Sequence, residues 1–236
     1  PVVAVLFTHS HIDHFGGVLG VISAAQAREQ KVRIIAPRGF MDEVTSENVI
    51  AGLAMGRRAQ FMYGSRLPRS PRGHVGSGLG KAPAIGAPGI LEPTELVDFD
   101  TGELLIDGVR VDFQYTPEAE APAEYTFYLP ELKAYCGAEV VSNNLHNLYT
   151  LRGAKVRDAL RWSRYIDETI DRFGEAEVYF GSHHWPKWGN AEILNVLRIQ
   201  RDTYKYIHDQ TVRLFNAGHT PGEIAEQLYL PQSLRQ

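Results

Sequence analysis

The sequence predicts an α/β fold that gives way to an all-helical C-terminal segment, and three observations carry that expectation. Short β-branched runs at residues 2–7 and 31–36 flank a helix-length segment at 17–29, the pattern of a βαβ unit with parallel strands. Val109, Val111, Phe113 and Tyr115 alternate with Arg110, Asp112 and Gln114, which marks a strand with one wet face. Past residue 190 the period lengthens, and 191–217 reads as helix throughout.

The first strand is wholly apolar and ends at Thr8. A tight turn at Asp107-Gly108 opens the alternating strand, and 125–129, 133–136 and 177–180 are further strand candidates. A helix is expected over 157–173, with Leu160, Tyr165, Ile166 and Ile170 at helical spacing. In the C-terminal segment Leu197, Tyr204, Ile207 and Leu214 read as packing positions, and Thr220-Pro221-Gly222-Glu223 as a capping box opening a last helix. One stretch stands apart. Residues 57–91 are dense in Gly and Pro, carry Arg57, Arg58, Arg66, Arg69, Arg72 and Lys81, and include no acidic residue. This is either a solvated surface loop or an ordered loop over a site, whose positive field gathers an anionic substrate. No internal repeat is visible.

With 236 residues, 44% hydrophobic and 10% aromatic, the chain can bury a sizeable core and is not a disordered protein. A net charge of −4 argues against general binding of polyanions such as nucleic acid. Cys136 is the single cysteine, which rules out an intrachain disulfide framework, and its apolar surroundings favour a packing role. No apolar run reaches the roughly 18 residues of a membrane span, and no signal peptide is visible. Because the chain opens directly on a core strand, it reads as part of a longer protein, and its localisation stays open.

Function is concentrated where the first strand ends. Thr8-His9-Ser10-His11-Ile12-Asp13-His14-Phe15-Gly16-Gly17 places three imidazoles and a carboxylate within six residues at a strand-to-helix turn, a ligand set that suits a divalent metal. His9 and His11 project to one side of an extended segment while Asp13 and His14 turn toward a neighbouring position, so the pattern can serve two metals. Such a site needs further ligands from other strand exits. Three segments offer them: Thr116-Pro117-Glu118-Ala119-Glu120, Glu139 after Tyr135-Cys136-Gly137-Ala138, and Gly181-Ser182-His183-His184-Trp185-Pro186. Within the pairs, Glu120 is preferred to Glu118 and His184 to His183.

Residues 8–17 resemble the signature of the metallo-β-lactamase superfamily. Most of its members place a histidine after the strand that ends here at Thr116-Pro117, and an aspartate as bridging ligand. This chain has glutamates in both places, in Glu118-Ala119-Glu120-Ala121-Pro122-Ala123-Glu124 and Gly137-Ala138-Glu139. Together with the stretches from His146 to Ala154, Ser182 to Gly189 and Gln200 to Gln210, these motifs resemble a type III alkyl sulfatase of the dodecyl-sulfate-hydrolysing kind, over essentially the whole chain. The resemblance implies an αββα sandwich, partial because upstream strands are missing, as a catalytic domain over 1–190. Residues 191–236 would then begin a helical dimerisation region, and the protein would be a homodimer; such enzymes continue into a sterol-carrier-like domain. The resemblance also implies two Zn2+ per chain, with His9, His11 and Glu120 on one, Asp13, His14 and His184 on the other, and Glu139 bridging beside a shared water. Arg152 matches the family's sulfate-binding arginine, whose planar guanidinium fits two sulfate oxygens, and Tyr149 is a second substrate contact. The bland alternative for Arg152 is a salt bridge at the start of the following helix. Glu118 departs from the family's Thr-Pro-Gly-Thr-Glu pattern, and either adds negative charge near the metals or faces solvent.

The expected reaction is therefore zinc-dependent hydrolysis of an alkyl sulfate ester, such as dodecyl sulfate, to an alcohol and inorganic sulfate by a metal-bridging water. His183 is the candidate general acid, or else orients a ligand, and Phe61, Met62 and Tyr63 are candidates to line an apolar channel. A formylglycine mechanism is excluded, since Cys136 lacks the Cys-x-Pro-x-Arg context. Two rivals remain: another dinuclear-zinc hydrolase of the same fold, such as a phosphodiesterase or nuclease, and a non-catalytic binding protein, which the complete ligand set disfavours.

Overall fold

The computed structural model describes residues 1–77, 81 and 86–235; positions 78–80 and 82–85 of the basic segment, and Gln236, lie outside the described residues. Two sheets form the centre. Strands β1 (Ala4–Leu6), β2 (Arg33–Pro37) and β3 (Glu95–Val97) pair in parallel, with Val5 opposite Ile34. The second sheet runs β4 (Thr101–Ile106), β5 (Val109–Tyr115), β6 (Tyr125–Leu129), β7 (Ala134–Cys136), β8 (Val178–Phe180) and β9 (Lys187–Trp188). Its neighbours are antiparallel except β7 and β8, which run parallel. That parallel pair needs a long crossover, and the chain supplies it with α5 (Ala159–Phe173), after the shorter helices α1 (Ile12–Phe15), α2 (Ala24–Glu29), α3 (Phe40–Thr45) and α4 (Gly52–Met62). Helices α6 (Asn190–Asn216) and α7 (Pro221–Gln227) follow.

Three buried clusters fix four layers. Ile35 and Val97 of the small sheet meet Ile106, Val111, Phe113 and Tyr125 of the large one, so the sheets face each other. Phe7, Phe15 and Phe40 fill the outer side of the small sheet; Phe7 stacks on Phe40 at 5.2 Å, a ring pair that contributes about 0.5–1.5 kcal/mol beyond its buried area. On the outer side of the large sheet, Tyr128, Tyr135 and Tyr179 pack under Trp162, Ile166 and Phe173 of α5 and under Ile193, Leu197 and Tyr204 of α6. The order is helix, sheet, sheet, helix. Among the described residues no helix is long and apolar enough to cross a membrane.

Several boundaries depart from the sequence expectation, each for a local reason. The helix expected at 17–29 is broken into a 3₁₀ turn at Val18–Gly20 and α2, because Ser23 makes a capping box with Gln26 and starts a new helix there. The helix expected from 157 begins at Ala159: Asp158 is its cap, accepting the N–H of Arg161, and Arg157 is drawn inward. The basic stretch expected as a loop from 57 starts as helix, since 57–62 complete α4.

Candidate metal centre

The two sheets touch where the first strand ends. Past β1 the chain leaves the small sheet, and His9 bridges antiparallel to Glu124 just ahead of β6, with the N–H of Tyr125 donating to Thr8 O at 3.0 Å. Strand exits from both sheets therefore open on one place. The loop after β5 turns at Glu118, whose φ of +65° lets its N–H reach Ala121 O at 2.9 Å, and this carries Glu120 inward. The turn after β7 depends on Gly137, because a Cβ there would lie 2.8 Å from the Tyr179 ring and 3.0 Å from Val141 Cβ. That close approach seats Glu139.

Four buried side chains, His9, His11, Glu120 and Glu139, bring ligand atoms within 4.8 Å of one another, and Asp13, His14 and His183 form a second such group. Glu139 joins them: its Oε2 is 3.3 Å from His9 Nε2 and 3.1 Å from His14 Nε2, and its Oε1 is 3.5 Å from His183 Nε2. Glu120 Oε2 is 2.8 Å from His11 Nδ1 and 3.7 Å from His9 Nε2. His14 Nε2 stands 3.2 Å from both Asp13 Oδ2 and His183 Nε2. Burial pushes the His9 imidazole down to about 4, and the charge of His14 adds to this. Burial opposes the charge on Glu120, yet His11 and Arg157 hold its carboxyl at about 2. Burial likewise opposes protonation of His14, but Asp13 and Glu139 raise it to about 10.

These residues fit divalent metal ions. His9 Nε2 and Glu120 Oε2 are buried and make no well-aligned hydrogen bond, although Glu139 Oε2 lies 3.3 Å from the one and His11 Nδ1 2.8 Å from the other, and this crowding of buried ligand atoms costs free energy unless a cation lies between them. Imidazole nitrogens with carboxylate oxygens are the donor set of zinc.

The histidine after β8 that reaches the cluster is His183. Its Nε2 is 3.5 Å from Asp13 Oδ2, whereas His184, expected as the ligand, is exposed at a φ of +71°. Between the two glutamates, Glu120 is buried in the cluster, while Glu118 faces solvent and pairs with Arg161. Arg152 lies beside the first group, its Nη2 3.3 Å from Glu47 Oε1, and Glu47 Oε2 is in turn 3.7 Å from His11 Nε2. Tyr149 is exposed on the same loop. His146, within a motif already singled out, points Nε2 at Glu139 Oε1 at 3.3 Å and at Glu120 Oε1 at 3.5 Å.

Three polar residues of the centre escaped the sequence reading. Arg157 is buried, donates from Nε to Glu120 O at 2.6 Å and from Nη1 to Asn147 Oδ1 at 2.8 Å, and closes on Glu120 Oε1 with Nη2. Glu124 is fully buried. A hint of both was present, since Glu118, Glu120 and Glu124 are too many acids for an otherwise apolar strand exit, and one buried acid asks for a cation. Glu47, on a π-helical turn at Ser46–Ile50, carried no such signal.

Fold and centre define a class, and the chain belongs to it: a profile of the metallo-beta-lactamase superfamily matches residues 1–183. Within that class, a Pseudomonas sp. protein named linear primary-alkylsulfatase is 48% identical over 236 residues, 99% of this chain and 35% of that protein. The alkyl/aryl-sulfatase BDS1 of Saccharomyces cerevisiae is 46% identical over 237 residues, 100% of this chain and 37% of that one. The solved structure of the stereoselective inverting sec-alkylsulfatase Pisa1 from Pseudomonas sp. superposes with a TM-score of 0.94 at 40% identity, covering 99% of this chain and 37% of that chain. The chain thus spans little more than a third of the length of these relatives.

Proposed function

We propose that this chain carries the catalytic centre of a zinc-dependent alkyl sulfatase, which hydrolyses an alkyl sulfate ester and water to an alcohol and inorganic sulfate. The observation that carries the reading is the pair of ligand groups joined through Glu139, with the Arg152 guanidinium beside them. The identity to proteins named alkylsulfatases supports the choice of ester over the phosphodiester of a nuclease.

In this reading His9, His11 and Glu120 would hold one ion and Asp13, His14 and His183 a second, with Glu139 placed to serve either. Bound zinc supplies Lewis acidity toward a sulfate oxygen and acidifies a water to near-neutral pKa. The protein's own groups do the rest. Arg152 binds the sulfate, and Glu47 fixes the guanidinium from behind. Tyr149, on the same loop, forms part of the substrate wall. Tyr63 is half-buried; burial raises its phenol, which also lies in the fields of Arg152, Asp13 and Glu139, at the mouth of the centre. With Phe61, which is exposed, and Met62 it offers the alkyl chain an apolar surface. His183 serves as a ligand here, not as the acid for the departing alcohol. Residues 191–236 begin the segment through which the protein pairs as a homodimer, with Val212, Phe215, Ile224 and Leu228 lining an apolar groove on its surface.

The test uses the intact protein purified without chelator: elemental analysis, sulfate release from dodecyl sulfate, and nitrophenol release from a nitrophenyl phosphodiester. About two zincs per chain and sulfate release are expected. Absence of transition metal, or faster phosphodiester cleavage, would overturn the reading, and two bound zincs with neither product would favour a binding protein.

A further inference from the structure

Glu124 belongs to neither ligand group, yet its carboxylate ties together the segments that bear them. Its Oε2 accepts the main-chain N–H of Glu120 at 3.2 Å and of Ala121 at 3.1 Å, and its Oε1 accepts the N–H of Glu139 at 3.1 Å. Oε1 also stands 3.9 Å from His9 Nδ1, and the Glu124 backbone is bridged to His9. One fully buried side chain thus touches three loops that come from three different strands. We propose that Glu124 is the positioning residue of the metal centre: it holds the main chains of Glu120 and Glu139 at the separation at which their side chains close on His9, and contacts neither metal nor substrate. The inference rests on the metal-centre reading above.

The chemistry of the group explains why a carboxylate is needed. Ionised or not, a carboxyl can present acceptor oxygens toward both loops, whereas an amide has one oxygen and must turn its NH2 toward an N–H donor on one side or the other. In Glu124→Gln either the Glu139 loop or the Glu120–Ala121 loop therefore loses its anchor and meets a repelling donor. The side chains on that loop drift by tenths of an ångström, which a ligand set tolerates poorly. Groups that orient ligands without binding metal typically matter by about 10–100-fold in metal affinity.

The experiment measures the zinc dissociation constant of the intact protein by competition with a chromophoric chelator, for the parent, Glu124→Gln, Glu124→Asp and Thr169→Val. Thr169→Val is the control, because it removes a buried hydrogen bond, 2.7 Å to Gln114 Oε1, in the core beneath α5. Both Glu124 variants should bind zinc about 10–100-fold more weakly, with unchanged far-ultraviolet circular dichroism of the metal-free protein, while Thr169→Val stays within about twofold of the parent. Should Glu124→Gln fail to fold, Glu124→Asp, which keeps the acid and draws it back by one methylene, carries the same expectation. Parent-like zinc affinity in the Glu124 variants, or an equal loss in Thr169→Val, overturns the assignment while leaving the metal centre in place. A parent that takes up no zinc removes the metal centre, and this inference with it.

Discussion

His183 and His184 are chemically identical neighbours, and only the backbone separates their roles. The left-handed φ of His184 turns the chain so that one imidazole enters the cluster and the next faces solvent. A spacing rule sees two histidines and no φ, so it has no means of telling that His183, and not the expected His184, is the one that reaches the cluster. Substitution separates them: His183→Gln should lower metal content to about one zinc per chain and turnover by on the order of a hundredfold, and His184→Gln should leave both within about twofold. The reverse result, by elemental analysis and sulfate release, would return the ligand to His184. Arg152 is the other residue whose role turns on its neighbours. Its ion pair with Glu47 answers the salt-bridge alternative only in part, because Glu47 is itself 3.7 Å from a metal-side imidazole and so fixes the guanidinium at the centre. Arg152→Leu should raise KM and lower kcat for alkyl sulfates by about tenfold or more with metal content unchanged, since a charge-assisted bidentate contact is lost. If that variant kept full activity, the basic segment at 57–81 would be holding the sulfate, and added salt would weaken capture steeply.

Elements with a clean period were legible; those shaped by a close contact were not. The alternation in β5 and the helical spacing in α5 and α6 follow from burial of one face, and the sequence shows it directly. The strand before the Asp107-Gly108 turn is hidden by Gly102, where a Cβ would lie 2.8 Å from the Phe99 ring: the glycine that breaks the pattern is the one that lets Phe99 pack. Likewise Gly56, Arg57 and Arg58 made the end of α4 look like loop. The Glu120-bearing loop shows how such an element is held. Arg157 and Glu120 are both buried, so Arg157→Ala strands a carboxylate in the interior and should cost the metal-free protein about 3–5 kcal/mol, roughly 10 °C in Tm. Arg161→Ala, which breaks only the half-exposed pair with Glu118 in the same loop, should cost less than about 1 kcal/mol. Equal losses in the two variants, by thermal melts in chelator, would mean that burial does not decide the matter.

Across the whole molecule, the core on both faces of the large sheet buries weak acids as well as hydrocarbon. Cys136 has its thiol pushed up to about 12 by burial, against a main-chain hydrogen bond from Ala138 that lowers it and with a smaller upward contribution from Glu124, and burial raises the phenols of Tyr125, Tyr135, Tyr179 and Tyr204. In the unfolded chain the thiol ionises near 8.5 and the phenols near 10. A raised folded pKa means that the contribution is complete below the unfolded value and is lost as pH climbs toward the folded one, because the unfolded chain releases protons that the fold retains. Between pH 7.5 and 9.5 the thiol should account for about 1.4 kcal/mol of lost stability, the phenols for a smaller part, and His14, raised to about 10, for a further loss in the metal-free protein. By pH 10.5 the thiol accounts for about 2.7 kcal/mol and the four phenols together for about 3.4, a large share of the 5–15 kcal/mol that holds a typical domain. Urea midpoints at pH 7.5, 9.5 and 10.5 should therefore fall gently and then steeply. In Cys136→Ala the loss between pH 7.5 and 9.5 should shrink by the thiol's share of about 1.4 kcal/mol while the steep one remains, and a parent whose midpoint stays flat to pH 10.5 would show that these groups titrate alike in the folded and unfolded chain.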